Sequence, residues 1–310
     1  MEPIVDALKH VSIGPPAAWG NLAMFPLTGG GAKEAGYWTL QEALERECSE
    51  ITEVSEGGSV PELRFVNSGD RPVFLLDGEQ LVGAKQNRIL NLSILVAGGK
   101  TVIIPVSCVE AGRWHHTSRF FSSDLGVHYA EGRARKMSQV SQSMRSSGKR
   151  ASDQSQVWAD IAEKSSRFGV HSSTSAMRDL YAQQEDRLGE YGRRFRALEG
   201  QRGAAFAIGG KVVGLELFDA ADTFTKLLPK LLRGYGLDAL DSDGRGRAKS
   251  AAACTAGDVD AFVKRIVAAR KEEFLAVGEG RDVRISGDGL TGAALAVDGQ
   301  VVHLSAFALP

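Results

Sequence analysis

The residues best suited to chemistry lie in two polar segments of the first third of the sequence. Residues 77–93 (DGEQLVGAKQNRILNLS) contain an unbroken polar block, Lys-Gln-Asn-Arg, and residues 104–116 (IPVSCVEAGRWHH) contain Cys, Glu, Arg, Trp and two His. A half-buried strand alternates polar and apolar side chains, and this block does not. It therefore predicts a loop that presents its side chains to solvent or to a ligand.

The cationic and aromatic side chains of these segments suit an anionic ligand. Lys85, Arg88 and Arg113 can hold phosphate groups, and Trp114 beside Arg113 can stack on a nucleotide-like molecule. The neighbouring amides would orient its polar groups. The alternative is a charged loop in which Glu79 and Arg88 pair with each other. The predicted ligand-binding residues are Lys85, Gln86, Asn87, Arg88, Asn91, Arg113 and Trp114.

Three side chains of the same segments have the chemistry of catalytic groups. Glu79 and Glu110 can act as general acid or base, or can bind a cation together with His115. Cys108 can act as a nucleophile if a basic neighbour activates it, although a cysteine in this apolar context is more typically buried. The sequence contains no P-loop, dinucleotide-binding, H-E-x-x-H or G-x-S-x-G motif, so it identifies no cofactor and no reaction. We assign no metal site.

A predicted hairpin brings the two segments together. Strand patterns at 91–96 and 101–106 flank a Gly-Gly turn signal. Pairing these strands sets the end of the first segment beside the middle of the second. We therefore expect four charged side chains to converge in one cleft: Glu79, Lys85, Arg88 and Glu110.

The overall composition narrows the class of protein. The chain has 310 residues, 43% of them hydrophobic and 24% charged, with a formal net charge of -1. These values are typical of a globular protein and provide no positive field for nucleic-acid binding. No apolar run is long enough for a membrane span, and the first residues lack the pattern of a secretory signal. Three scattered cysteines without a C-x-x-C pair favour a reducing compartment, so we expect a cytoplasmic protein.

The chain divides by composition into three parts. Residues 1–137 show short strand patterns and turn signals, and residues 138–152, rich in Ser, Gln and basic side chains, predict a flexible linker. Residues 153–310 combine helical spacing with two similar stretches, 203–218 and 292–307, which are identical at nine of sixteen positions. We expect an α+β fold with an N-terminal antiparallel β sandwich or barrel, packed helices and two matching C-terminal hairpins that share a core. The two main parts could also form one continuous domain.

Six stretches give the chain a resemblance to a known family. They are G-N-L-A-x-F-P-L at 20–27, DGEQLVGAKQNRILN at 77–91, IPVSCVEAGRW at 104–114, SDQSQVW at 152–158, KVVGLELF at 211–218 and FTKLLPKLLRGYGLDAL ending at Leu240. They resemble the ARG and Rhodanese-Phosphatase-superfamily-associated Protein domain, a bacterial family. The resemblance implies an association with ADP-ribosylglycohydrolase-like and phosphatase-like domains, and so with ADP-ribose-related biology, but no reaction. Where the family has S-P-T-G-A-M, this chain has SSTSAM at 172–177.

Three functions are consistent with the sequence. The first is binding of an anionic small molecule that is nucleotide-like or ADP-ribose-related. The second is a hydrolase-type enzyme that uses Glu79 or Glu110 as base or cation ligand. The third is a protein–protein interaction module whose polar block is the interface. A bound ligand or metal at the two segments would distinguish the first two functions, and a co-purifying partner would favour the third.

Overall fold

Groups of short strands, most of them paired antiparallel, are separated by helices along the chain. The computed structural model describes residues 2–55, 57, 61–244 and 253–309. The predicted α+β class is confirmed. The strands are β1 (Ser12–Ile13), β2 (Ala17–Trp19), β3 (Leu22–Thr28), β4 (Trp38–Thr39), β5 (Ser49–Glu53), β6 (Glu62–Asn67), β7 (Val73–Leu75), β8 (Glu79–Gly83), β9 (Arg88–Leu90), β10 (Ile94–Val96), β11 (Thr101–Cys108), β12 (Phe121–Val127), β13 (Gln201–Ile208), β14 (Lys211–Phe218), β15 (Arg270–Leu275), β16 (Arg281–Gly287), β17 (Leu290–Val297) and β18 (Gln300–Ala308). The helices are α1 (Glu2–Lys9), α2 (Leu40–Glu45), α3 (Ala130–Ser147), α4 (Gln154–Phe168), α5 (Met177–Gln183), α6 (Glu185–Arg194), α7 (Ala221–Gly244) and α8 (Ala256–Ala268).

The strands form three sheets. The largest has the order β1-β3-β13-β14-β18-β17-β16-β15, with β2 paired to β3, so strands from both ends of the chain meet in it. Six strands in the order β12-β8-β9-β11-β6-β5 curl into a half-barrel, and a small sheet has the order β10-β7-β4. The half-barrel encloses its own apolar core, which includes Phe65, Leu81 and Leu90. None of the described helices is both long and apolar enough to cross a membrane.

The repeated stretches form two hairpins that lie side by side, as predicted. In the pairing of β14 with β18, Gly214 faces Phe307, Phe218 faces His303 and Glu216 faces Ser305. In the alignment of the repeats Gly214 matches His303 and Phe218 matches Phe307, so a two-fold rotation exchanges the first two pairs. Glu216 matches Ser305 itself, so this pair lies on the local two-fold axis. The ladder shifts register at the same step in both hairpins, before Ala207 and before its counterpart in β17. Phe218 and Phe307, which occupy equivalent positions of the two repeats, are fully buried in one core.

The prediction of a flexible linker at 138–152 is wrong for residues 138–147, which belong to helix α3. Helix α3 continues to Ser147 and ends at Gly148, whose positive φ of 70° forms a left-handed cap. Val140 and Met144 are buried against the half-barrel core, although the other side chains of this turn are polar. Two apolar side chains at helical spacing are enough to stabilise this end of the helix, because they pack against the half-barrel.

Candidate functional site

The two polar segments meet at one end of the half-barrel, but through a different strand pair from the predicted one. The hairpin of 91–96 with 101–106 does not form, because β10 leaves the half-barrel to pair with β7. Instead β9 pairs with β11, and Arg88 lies directly opposite Cys108. Both side chains therefore belong to the face that also carries the apolar barrel core.

Arg88 is the central cation of this site. Its side chain is 0% exposed, and Nη1 donates a hydrogen bond of 3.0 Å to Oε1 of Gln86. In the described part of the chain, Nε and Nη2 have no hydrogen-bond partner. Burial lowers the pKa of Arg88, and the nearby Cys108 and Glu53 oppose that shift. Because guanidinium keeps its proton in proteins, Arg88 is a buried cation with two unused donors.

An exposed indole covers the cation. The Trp114 ring lies 5.7 Å from Arg88 Cζ and 5.4 Å from Lys85 Nζ, measured to the ring centroid. Its side chain is 47% exposed, which is unusual for tryptophan. The Trp114 ring therefore forms the solvent-exposed side of the site, and the Arg88 guanidinium forms its buried side.

Cys108 lies beside Arg88 as a thiol. Its Sγ donates to Gln86 Oε1 at 3.1 Å or to the Glu110 carbonyl at 3.2 Å. Burial raises the pKa of this thiol, and the charge of Arg88 opposes the shift without reversing it. Gln154 of α4 fixes the strand end, since its side chain bonds both the amide and the carbonyl of Cys108, at 2.7 and 2.8 Å. In this structure Cys108 has the surroundings of a buried thiol, not of an activated nucleophile.

Two members of the site were not predicted from the sequence. Glu53 ends strand β5 and is 8% exposed, and its Oε2 has no partner among the described residues. Trp158 of α4 is half-buried, and its side chain lies beside the Cys108 sulfur, whose pKa it lowers. The available signal for Glu53 was strand alternation, because a carboxylate two residues after the buried Ile51 must point into the barrel.

Glu110, Arg113 and Asn87 form a closed frame around the site. Glu110 Oε2 accepts hydrogen bonds from Arg113 Nη2 at 2.6 Å and from the backbone N–H of Asn87 at 3.0 Å, and Oε1 accepts from the Thr174 hydroxyl at 2.8 Å. Burial opposes ionisation of Glu110, but these donors hold its pKa below the usual value. Arg113 also donates to the Ala84 carbonyl at 2.6 Å. Glu110 and Arg113 therefore make their side-chain hydrogen bonds within this frame.

Other residues of the predicted site lie apart from Arg88. Glu79 pairs with Lys230 at 2.5 Å and with Ser123 at 2.6 Å, so the expected convergence of four charged side chains is wrong for Glu79. Asn91 joins Ser107 to the Arg150 carbonyl. His115 is exposed, and its described contact is a carbonyl bond to Arg113. Within the described ranges, no cluster of three or more His, Cys, Asp or Glu side chains could hold a metal ion.

The loop that supports Glu110 contains a strained residue. Ser175 has φ 53°, in the left-handed region that favours glycine. We predict that Ser175→Gly raises the free energy of unfolding by about 1 kcal/mol, because it removes this strain. Ser173→Gly, at a neighbouring exposed position without positive φ, should lower it by about 0.4–1 kcal/mol. Urea unfolding of both variants checks the prediction, and a loss of stability in Ser175→Gly would contradict it.

A second polar cluster lies between the half-barrel and the large sheet. Asp77 accepts from Lys136 and, at 3.4 Å, from Arg133. Arg133 also pairs with Glu216 at 2.5 Å, and Tyr235 donates to the same carboxylate at 3.0 Å. All five side chains are buried. Burial opposes ionisation of both carboxyls, but their cations hold both pKa values below the usual range.

Comparison with known proteins identifies the family and nothing more specific. No functionally curated protein matches the chain, and no solved structure does. A family model matches residues 10–307, which is nearly the whole chain and includes both polar clusters. The chain therefore belongs to the ARG and Rhodanese-Phosphatase-superfamily-associated Protein domain family.

Proposed function

We propose that this protein binds a small anionic, nucleotide-like molecule at the Arg88 site. The observation that carries the proposal is the pair of unused donors on a fully buried guanidinium. Leaving buried charged donors without partners is costly, and such groups in native proteins are normally satisfied. An anionic oxygen pair is the natural complement, since guanidinium matches phosphate and carboxylate in a two-pronged geometry.

The surroundings of Arg88 favour a ligand with three kinds of group. The exposed Trp114 ring suits a flat base, which stacks on aromatic side chains. The unused Glu53 Oε2 accepts hydrogen bonds, as from the hydroxyls of a sugar. A phosphate, a sugar and a base are the components of a nucleotide. The hydrolase alternative has less support, because Glu79 and Glu110 are each held by a cation.

Calorimetric titration with AMP and with ADP-ribose tests this proposal. Wild-type protein should bind at least one of them, and Arg88→Met should weaken that binding by at least about 30-fold, corresponding to about 2 kcal/mol for truncation of a buried charge contact. Arg119→Met is the matched control, because Arg119 is an exposed arginine that lies over the Phe120 ring. Unchanged affinity in Arg88→Met, or absence of binding in wild-type protein, would contradict the proposal.

Replacing Trp114 distinguishes a contact to the base of the ligand from a contact to its phosphate. Trp114→Ala should weaken AMP binding by about 1–3 kcal/mol, the value of one base–aromatic stack. Ribose 5-phosphate lacks the base, so the same variant should bind it as wild-type protein does. Equal losses for both compounds would show that Trp114 only shapes the site.

A further inference from the structure

A serine, a histidine and a glutamate form a line at the second polar cluster. Ser93 Oγ lies 2.8 Å from His303 Nδ1, and His303 Nε2 lies 3.0 Å from Glu216 Oε2. The Asp77 amide donates to Ser93 Oγ at 3.0 Å. Glu216 as a carboxylate can only accept, so the network assigns the histidine proton to Nε2 and leaves Nδ1 to accept from the Ser93 hydroxyl. Proton donation therefore runs from serine to histidine to carboxylate, as in nucleophilic triads.

The packing fixes each member of this line. The His303 ring stacks on Phe218 with a centroid distance of 4.5 Å and meets the edge of Phe74 at 5.8 Å. Glu216 is held by Arg133 and Tyr235, as described above, and is 0% exposed. Ser93 lies between β9 and β10 and is half-buried, so it is the member of the line that is nearest to solvent.

A small cavity lined by both polar and apolar side chains adjoins the serine. Its volume is about 10 Å³, room for about one water-sized group, and its lining includes Ser93, His303 and Arg284. Arg284 is 1% exposed, and its Nη2 donates to Asp282 at 2.7 Å. Its Nε and Nη1 have no partner among the residues that the structure describes. The cavity thus places unused cationic donors beside a serine that has a base.

We propose that Ser93 is a nucleophile that hydrolyses esters of very short carboxylic acids, of formyl or acetyl size. Ser93 Oγ bonds to the ester carbonyl carbon, and its proton passes to His303 Nδ1. The bond to the leaving alcohol then breaks, and His303 protonates that alcohol. Water attacks the acyl-serine in the same way, which releases the carboxylic acid and returns the proton to Ser93. Arg284 would stabilise the oxyanion of each step, and Glu216 positions His303.

The cavity has room for about one water-sized group, so it takes the carbonyl oxygen that becomes the oxyanion. The acyl substituent must then lie with the alcohol on the half-buried side of Ser93, which limits it to hydrogen or methyl. The alcohol must leave toward solvent on the half-buried side of Ser93. This activity does not depend on the Arg88 site, so failure of either proposal leaves the other intact.

Incubation of the 310-residue protein with p-nitrophenyl acetate tests the proposal. We expect p-nitrophenolate release and, by peptide mass spectrometry, an acetyl group on Ser93 in preference to other serines. His303→Gln should slow acetylation of Ser93 by about 100-fold or more, the usual effect of losing a general base. His128→Gln is the matched control, because His128 is also a buried histidine but lies outside this line.

The wild-type measurement stands even if His303→Gln fails to fold. Acetyl groups on lysines but not on Ser93 of wild-type protein would overturn the proposal. Acetylation of Ser93 at the wild-type rate in a folded His303→Gln variant would overturn it as well.

Discussion

Replacing Glu216 with leucine will lower the free energy of unfolding by about 3–5 kcal/mol, because it leaves Arg133 buried without its strongest partner. Arg133 is 1% exposed and pairs with Glu216 at 2.5 Å. Adding Arg133→Met to Glu216→Leu removes the stranded cation. The double variant should therefore recover about 2 kcal/mol relative to the sum of the two single variants. Lys136 remains to pair with Asp77 in that variant.

Urea unfolding followed by circular dichroism measures this cycle. Glu185 and Arg233 provide the control pair, with a distance of 2.6 Å but with Glu185 58% exposed. The same cycle there should give a coupling below about 1 kcal/mol, as for other exposed ion pairs. If both pairs gave the same small coupling, burial would not be what makes the Arg133–Glu216 pair strong.

Replacing Arg88 with methionine will have effects of opposite sign on stability and on binding. The ligand-free protein should become more stable by about 1–4 kcal/mol, since a buried cation with two unused donors gives way to an apolar side chain in a barrel core. Binding of the anion should weaken by at least about 30-fold, as described above. A gain in stability together with a loss of binding is expected when a residue serves function at the expense of stability.

Arg113→Met is the contrasting variant. Arg113 is also buried, but Glu110, Asn87 and backbone carbonyls take up its donors. Its replacement should lower the free energy of unfolding by about 3–5 kcal/mol, because Glu110 is then buried without its cation. Thermal and urea unfolding of both variants without ligand decide the point. A similar loss of stability in Arg88→Met and Arg113→Met would assign both arginines to the frame.

The hairpin repeat was predictable because its information is local. Alternating small and apolar residues around a two-residue turn specify a hairpin without distant partners. The repeat also carried an unused signal for the second cluster. At two buried positions of the repeat the copies differ and at least one of them carries a polar side chain. At these positions His303 matches Gly214, and Glu216 matches Ser305.

The composition of the Arg88 site was predictable, but the roles of its residues were not. Arg88 and Arg113 are alike in the sequence, and only the contacts of the folded chain show which one keeps unused donors. Those contacts come from distant elements: Glu53 from β5, Gln154 from α4 and Thr174 from the loop before α5. For the same reason the helical end of α3 was missed, since its sparse apolar residues are stabilised by the half-barrel and not by their own pattern.

Equilibrium dialysis of the protein against a metabolite extract, followed by mass spectrometry of the retained small molecules, tests the Arg88 site without a choice of ligand. Wild-type protein and Arg88→Met would be dialysed at equal concentration, with Arg119→Met as control. We predict that wild-type protein and the control retain the same anionic, phosphate-bearing compound and that Arg88→Met does not. Retention of the same compounds by all three proteins, or of no anion by wild-type protein, would contradict the assignment of Arg88 as the anion-binding residue.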